Sequence, residues 1–162
     1  MPSTSTNGVT DSRFRHLLGS VLVALQFGLI ALLAWMAGPA FLSGNAPAGA
    51  WAVCALGLLL AVWAMSSNPP GNFNIRPAPR AGARLVEHGP YRWIRHPMYT
   101  AVMVCGWAAA GTSASWVAWL SLAALVVVLV VKAVFEERWM LQAHPGYAAY
   151  RQGTRWFLPW IA

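Results

Sequence analysis

Apolar residues along this chain fall in long uninterrupted runs, not in the 3.6- or 2.0-residue alternation of a half-buried helix or strand. Four runs stand out. The first, about Leu17 to Leu42, reads LLGSVLVALQFGLIALLAWMAGPAFL, with Gln26 its only strongly polar side chain. The second, about Trp51 to Met65, is WAVCALGLLLAVWAM and gains length from Ala46 to Ala50. The third, about Met98 to Thr112, is MYTAVMVCGWAAAGT. The fourth, Trp116 to Phe135, is WVAWLSLAALVVVLVVKAVF, with Lys132 near its end. About 20 helical residues cross a hydrocarbon core ~30 Å thick, and about 17 suffice. The first and fourth runs pass, the second passes with its flank, and the third is marginal. Small residues in the third run suit close packing on a neighbouring helix. The pattern predicts an all-α integral membrane bundle of about four transmembrane helices.

Composition agrees. The chain is 58% hydrophobic and only 9% charged, where a soluble domain carries about 25% charged residues. Its net charge of +7 raises the question of nucleic acid, but the positions of the basic residues answer it. Arg13 and Arg15 precede the first run; Arg76, Arg80, Arg84, Arg92 and Arg95 separate the second from the third; Arg138, Arg151 and Arg155 follow the fourth. The connections SGNAPAGA and SAS carry no charge. The positive-inside rule then puts both termini and the middle loop on the cytoplasmic side of a multi-pass protein of the cell inner membrane. Topology accounts for the basic excess, so membrane lipids and not nucleic acid are the expected partner.

Three regions follow: a disordered polar tail over residues 1–16; two transmembrane helices over 17–65; and a core over 66–162 that holds the chemistry. Cys54 and Cys105 lie inside apolar runs with no neighbour at metal-ligand spacing, and His88 and His96 fit no common zinc spacing, so no metal is expected. The small-residue face Ala108 to Gly111 can pack within one chain or between two, which leaves the oligomeric state open.

Two polar segments hold the candidate chemistry. One contains EHGPYRWIRHPMY, Glu87 to Tyr99. Five prolines between Pro69 and Pro90 exclude long regular helix there and favour a stiff, extended path. Pro97 suits the first turn of the third helix. Arg95 and His96 then sit at a helix N-terminus, where exposed N–H groups and the helix dipole favour an anion and arginine adds a planar fork for a carboxylate. Snorkelling interface arginines within an aromatic belt of Tyr91, Trp93 and Tyr99 would read the same.

The other segment is KAVFEERWMLQAHPGYAAYRQGTRWFLPW, Lys132 to Trp160. The fourth helix is expected to run through Glu136 and Glu137 to about Ala143, where His144-Pro145-Gly146 interrupts it. Lys132 is one turn from Glu136 and placed to pair with it. Adjacent helical side chains project about 100° apart, so one partner is not expected to serve both glutamates. With Asp11 and Glu87 they are the only acids in the chain, and acids at the mouth of a membrane bundle are functional candidates. Arginine suits a carboxylate, glutamate suits an ammonium or ribose hydroxyls, and tyrosine and tryptophan suit a purine or a cation. S-adenosylmethionine carries all of these groups.

GPYRWIRHPMY resembles the G-x-Y-x-x-x-R-H-P-x-Y motif of the isoprenylcysteine carboxyl methyltransferase family, which includes related phospholipid and small-thiol methyltransferases. Glu136-Glu137, Met140-Leu141, Tyr147, Tyr150, Arg151, Arg155 and Pro159 are similar to that family's second signature, and NFNIRPAPRAGARLVEHG is similar to its small bacterial members. The resemblance covers roughly Asn72 to Trp160. It implies a membrane methyltransferase whose S-adenosylmethionine lies in a cytoplasm-facing pocket capped by the C-terminal segment. Gly89, Tyr91, Arg95, His96, Pro97, Tyr99, Glu136, His144 and Tyr147 would bind the cofactor. Glu137 and Arg151 would stand beside a lipophilic or small acceptor arriving from the bilayer. One departure is that His144-Pro145-Gly146 replaces the usual aromatic-Gly pair and is one residue short, which bears on the geometry of the cap. A carboxylate acceptor needs no base; an amine, hydroxyl or thiol does, and His88, His96 and Glu137 are candidates. Two other readings remain: a reductase of the sterol-reductase type using a reduced nicotinamide cofactor, and a non-enzymatic membrane subunit that docks a partner or anionic lipid.

Overall fold

Each apolar run becomes one helix, and each helix ends where polar or helix-breaking residues begin. The computed structural model describes residues 6–70, 72 and 84–159, with side chains from Leu17 onward. Helix α1 is Thr6–Leu42, α2 is Ala48–Ser66, α3 is Pro97–Thr112, α4 is Trp116–Ala143 and α5 is Tyr147–Gly153. A single 3-10 turn, Gly89–Arg92, precedes α3. Helix α1 starts at Thr6, so residues 6–16, expected from sequence to belong to a disordered tail, are instead helical in backbone; residues 1–5 lie outside the described residues. Extending a formed helix costs far less than nucleating one, so polar flanking residues join it readily. Of the stretch Pro69 to Pro90, expected to take an extended path, residues 71 and 73–83 also lie outside the described residues, while Pro90 lies in the 3-10 turn.

Leu17–Leu42, α2 and α4 are long and apolar enough to cross a membrane. Helix α3 has 16 residues, about 24 Å, short of a full crossing. It packs instead inside the bundle, lying against α2 on one side and against α1 and α4 on the other. Glycines allow this. A Cβ on Gly57 would stand 2.5 Å from Cys105 Sγ and 3.0 Å from the Ala101 carbonyl, and one on Gly106 would stand 2.9 Å from Leu122 Cδ1. Small residues at such crossings let backbones approach closely where lipid offers no hydrophobic drive to association. The core between α1, α3 and α4 is built from Leu33, Ala110, Ala118, Leu122, Leu125 and Leu129.

The ends of α3 and α4 follow from their caps. Pro97 occupies the first turn of α3 with His96 at its N-cap, as proline's fixed φ and missing N–H favour. Ser115 caps α4 by accepting from Val117 N at 3.3 Å. Helix α4 ends at Ala143, with His144 at its C-cap. Because α3 is short and α4 long, the start of α3 lies level with Glu136 and Glu137, about three-quarters of the way along α4.

Candidate functional site

The site forms where the start of α3, the polar end of α4 and the C-terminal strap meet. The turn leading into α3 is fixed first. Gly89 has φ +61°, and a Cβ there would stand 2.0 Å from Ser67 Oγ at the end of α2. Only glycine takes both the left-handed backbone and the close approach. The strap then runs beside Trp93–His96: Arg155 N donates to Trp93 O at 3.0 Å, Arg95 N to Arg155 O at 2.8 Å and His96 N to Trp156 O at 3.1 Å. Thr100 Oγ1 donates to Phe157 O at 2.8 Å, and the Tyr150 hydroxyl to Tyr91 O at 2.7 Å.

Within this frame Arg95 is a clamp. Its Nε donates to Glu137 Oε1 at 2.5 Å, and its Nη1 donates to the carbonyls of Arg151, at 3.1 Å, and Thr154. Arg151 Nε completes the set at 3.2 Å from Glu137 Oε2. Sequence reading gave Arg95 and the α3 N-terminus to an anionic ligand; here the guanidinium is committed to Glu137 and to backbone carbonyls, and the His96 N–H to the strap. Glu137, placed from sequence beside the acceptor, has both oxygens bound by arginine.

His96 lies between the glutamates. Its Nδ1 is 3.5 Å from Glu136 Oε2 and its Nε2 is 3.5 Å from Glu137 Oε1. One partner thus does serve both carboxylates, against the expectation from their 100° divergence, because imidazole carries nitrogens on two edges. The ring stacks on Tyr99 with centroids 5.4 Å apart and planes 1° from parallel, and Phe157 of the strap packs at 5.8 Å. Glu137 lies in ion-pair reach of Nε2 but without hydrogen-bond geometry. Among the described residues Nε2 is the buried side-chain N or O atom left without a hydrogen-bond partner. Burial disfavours the charged ring, but Glu136 and Glu137 outweigh it and raise the His96 pKa above the usual value.

The remaining candidates divide. Tyr99 donates its hydroxyl to Glu136 Oε1. Tyr91 is half-buried on the 3-10 turn; burial raises its pKa against a hydrogen bond to Asn68, and Glu136 adds to the rise. Tyr147 is buried beside Tyr150, with ring centroids 5.7 Å apart, and burial pushes both phenols well above their ordinary range. All three phenols therefore stay protonated near neutrality. Pro97 is fully buried and shapes the helix start. His144 stays at the α4 C-cap, where its N–H donates to Met140 O at 2.9 Å. Sequence reading missed Thr154, whose own carbonyl accepts from the distant Arg95, and Thr100, whose hydroxyl donates to the distant Phe157 carbonyl. It also missed Lys132 turning to Gln26 Oε1 on α1.

The family model for phospholipid methyltransferases matches residues 46–145. That span takes in α2, the 3-10 turn, α3 and the whole of α4, well over half of the chain. The chain belongs to the phospholipid methyltransferase family. This is also the family of isoprenylcysteine carboxyl methyltransferase-like proteins. Family membership together with helices able to cross a bilayer makes it, at the coarse level, a membrane methyltransferase. The match contains the RHP turn and both glutamates, and ends before Tyr147, Arg151 and the strap. No curated protein matches the chain.

Proposed function

We propose that this protein transfers the methyl group of S-adenosylmethionine to a lipophilic or small acceptor, a carboxylate, amine or thiol, that reaches the polar end of the bundle from the bilayer. The observation that carries the reading is His96. A polar atom buried without a hydrogen-bond partner costs about 1–3 kcal/mol, and Nε2 is such an atom, 3.5 Å from Glu137 Oε1 on a ring stacked on Tyr99. A polar ligand bound there would satisfy it. S-adenosylmethionine, when bound, supplies a methyl already activated on a sulfonium.

The chain's own residues then divide the work. Glu136 keeps 20% of its side chain exposed against 4% for Glu137, so Glu136 is the carboxylate left to take an ammonium or ribose hydroxyls. Glu137, held by Arg95 and Arg151, positions rather than reacts. Tyr91, Tyr99 and Tyr147 offer neutral hydroxyls and ring faces, which suit a purine or a cation. Methyl transfer is an in-line displacement, so alignment and exclusion of water are the main demands. The strap, tied across Trp93–His96, suits the second demand. Where the acceptor is an amine or thiol, His96 Nε2 is the group to take its proton.

Membranes containing the protein, given S-adenosylmethionine radiolabelled in its methyl group, should pass label to a lipid, protein or small-molecule fraction. Membranes without the protein should not. No transfer, with binding of a reduced nicotinamide cofactor instead, would refute the reading in favour of a reductase.

A further inference from the structure

Lys132 is the only lysine in the chain; the other ten basic residues are arginines. It lies on α4 one turn before Glu136, inside the bundle, with 1% of its surface exposed. A cation inside a membrane-spanning helix is costly and marks function by default. Its ammonium donates to Gln26 Oε1 on α1, 106 positions away, and stands 5.1 Å from the centre of the Tyr99 ring on α3. Tyr99 in turn donates its hydroxyl to Glu136 Oε1, and Glu136 Oε2 lies 3.5 Å from His96 Nδ1. Three helices therefore meet at one ammonium, and the contacts lead from it to the site. Fixing the register of α1 on α4 requires a hydrogen bond but no charge. What the charge adds is a cation on the face of Tyr99 and a counter-charge beside Glu136.

We infer that Lys132, held by Gln26, is a positioning residue that keeps the Tyr99 hydroxyl on Glu136 and so orients the carboxylate and the His96 ring toward the methyl donor. The inference rests on the reading under Proposed function. It also makes α1, which lies wholly outside the family match, part of the support of the site. If the ring of Tyr99 lost the ammonium, its hydroxyl would be free to leave Glu136, and the stack of Tyr99 on His96 would loosen with it.

The test is calorimetric binding of S-adenosylmethionine and S-adenosylhomocysteine to the purified full chain in micelles, with thermal unfolding of each variant alongside. Lys132→Met, similar in length but uncharged, is expected to weaken both ligands at least tenfold. Lys132→Arg, which keeps the charge and the contact with the ring, is expected to restore affinity to within threefold of the wild type. Lys132→Met combined with Tyr99→Phe should bind no more weakly than the worse single variant, because the two act in one chain of contacts. Wild-type affinity in Lys132→Met would overturn the inference. So would equal losses in Lys132→Met and Lys132→Arg at equal melting temperatures, the outcome of a register pin alone. Where Lys132→Met does not fold, Gln26→Leu decides: at least a threefold loss supports the inference, and normal affinity overturns it. A wild type that binds neither ligand overturns the reading and the inference together; a wild type that binds, with indifferent Lys132 variants, overturns the inference alone.

Discussion

Glu137→Ala should be the most damaging single substitution at the site, and the reason is Arg95. The Arg95 side chain is 7% exposed and depends on Glu137 for its counter-charge, at 2.5 Å. Removing one member of a buried ion pair costs about 3–5 kcal/mol, because the other charge stays buried without compensation. The backbone carbonyls of Arg151 and Thr154 still accept from Nη1, so the lower half of that range is expected. Arg151 contacts the same carboxylate at 3.2 Å, but its side chain is 48% exposed. Exposed pairs contribute about 0–1 kcal/mol and fade with salt. Unfolding free energies in micelles, from denaturant titration at low and high salt, should therefore separate the two variants by at least about 2 kcal/mol. The Arg151→Ala difference should shrink further at high salt. Equal costs for the two variants, or Glu137→Ala within about 1 kcal/mol of the wild type, would refute the reasoning.

Other outcomes follow from the same geometry. Gly89→Ala combines a left-handed backbone, costing about 1–2 kcal/mol, with overpacking against Ser67, costing about 1–3 kcal/mol; Ser67→Gly should recover the second part only, as read by thermal unfolding of the single and double variants. The His96 pKa is raised in the folded protein, so its protonated ring stabilises the fold fully below about pH 6.5 and stops doing so as pH rises through the folded value. The stability difference between wild type and His96→Gln should accordingly fall between pH 6 and 9, and a difference that grows would contradict the assignment. Thr100→Val deletes the bond to Phe157 O, worth about 1 kcal/mol; limited proteolysis should then cut the strap faster while α3 and α4 stay intact.

The helices were legible because length and hydrophobicity are local properties. The apolar runs, Pro97 at the start of α3 and the stop after Ala143 all lie in contiguous sequence. Helix α3 could be read as marginal, but not as the buried centre of the bundle, because that depends on Gly57 and Gly106 meeting particular neighbours. At the site, the meeting of Arg95 and His96 with Glu136 and Glu137 was readable only through two motifs 42 positions apart. What they do on meeting was not. Arg95 looked free for a ligand because, besides Glu137, its acceptors are Thr154 O and Arg151 O, backbone atoms that leave no mark in sequence. Gln26 and Lys132 were visible as polar residues in apolar runs, yet nothing local says that residues 106 positions apart join. Gly89 was read through its motif as a cofactor residue, while its structural reason lies in Ser67 on another helix.

The central claim is that the turn before α3 and the polar end of α4 together hold one adenosyl cofactor. Equilibrium binding of S-adenosylhomocysteine to the purified protein tests it most directly, with His96→Ala and Glu136→Gln as paired variants. The account predicts saturable binding by the wild type and at least a tenfold loss in each variant, read under conditions where thermal unfolding shows each variant still folded. Undiminished affinity in both variants would contradict it.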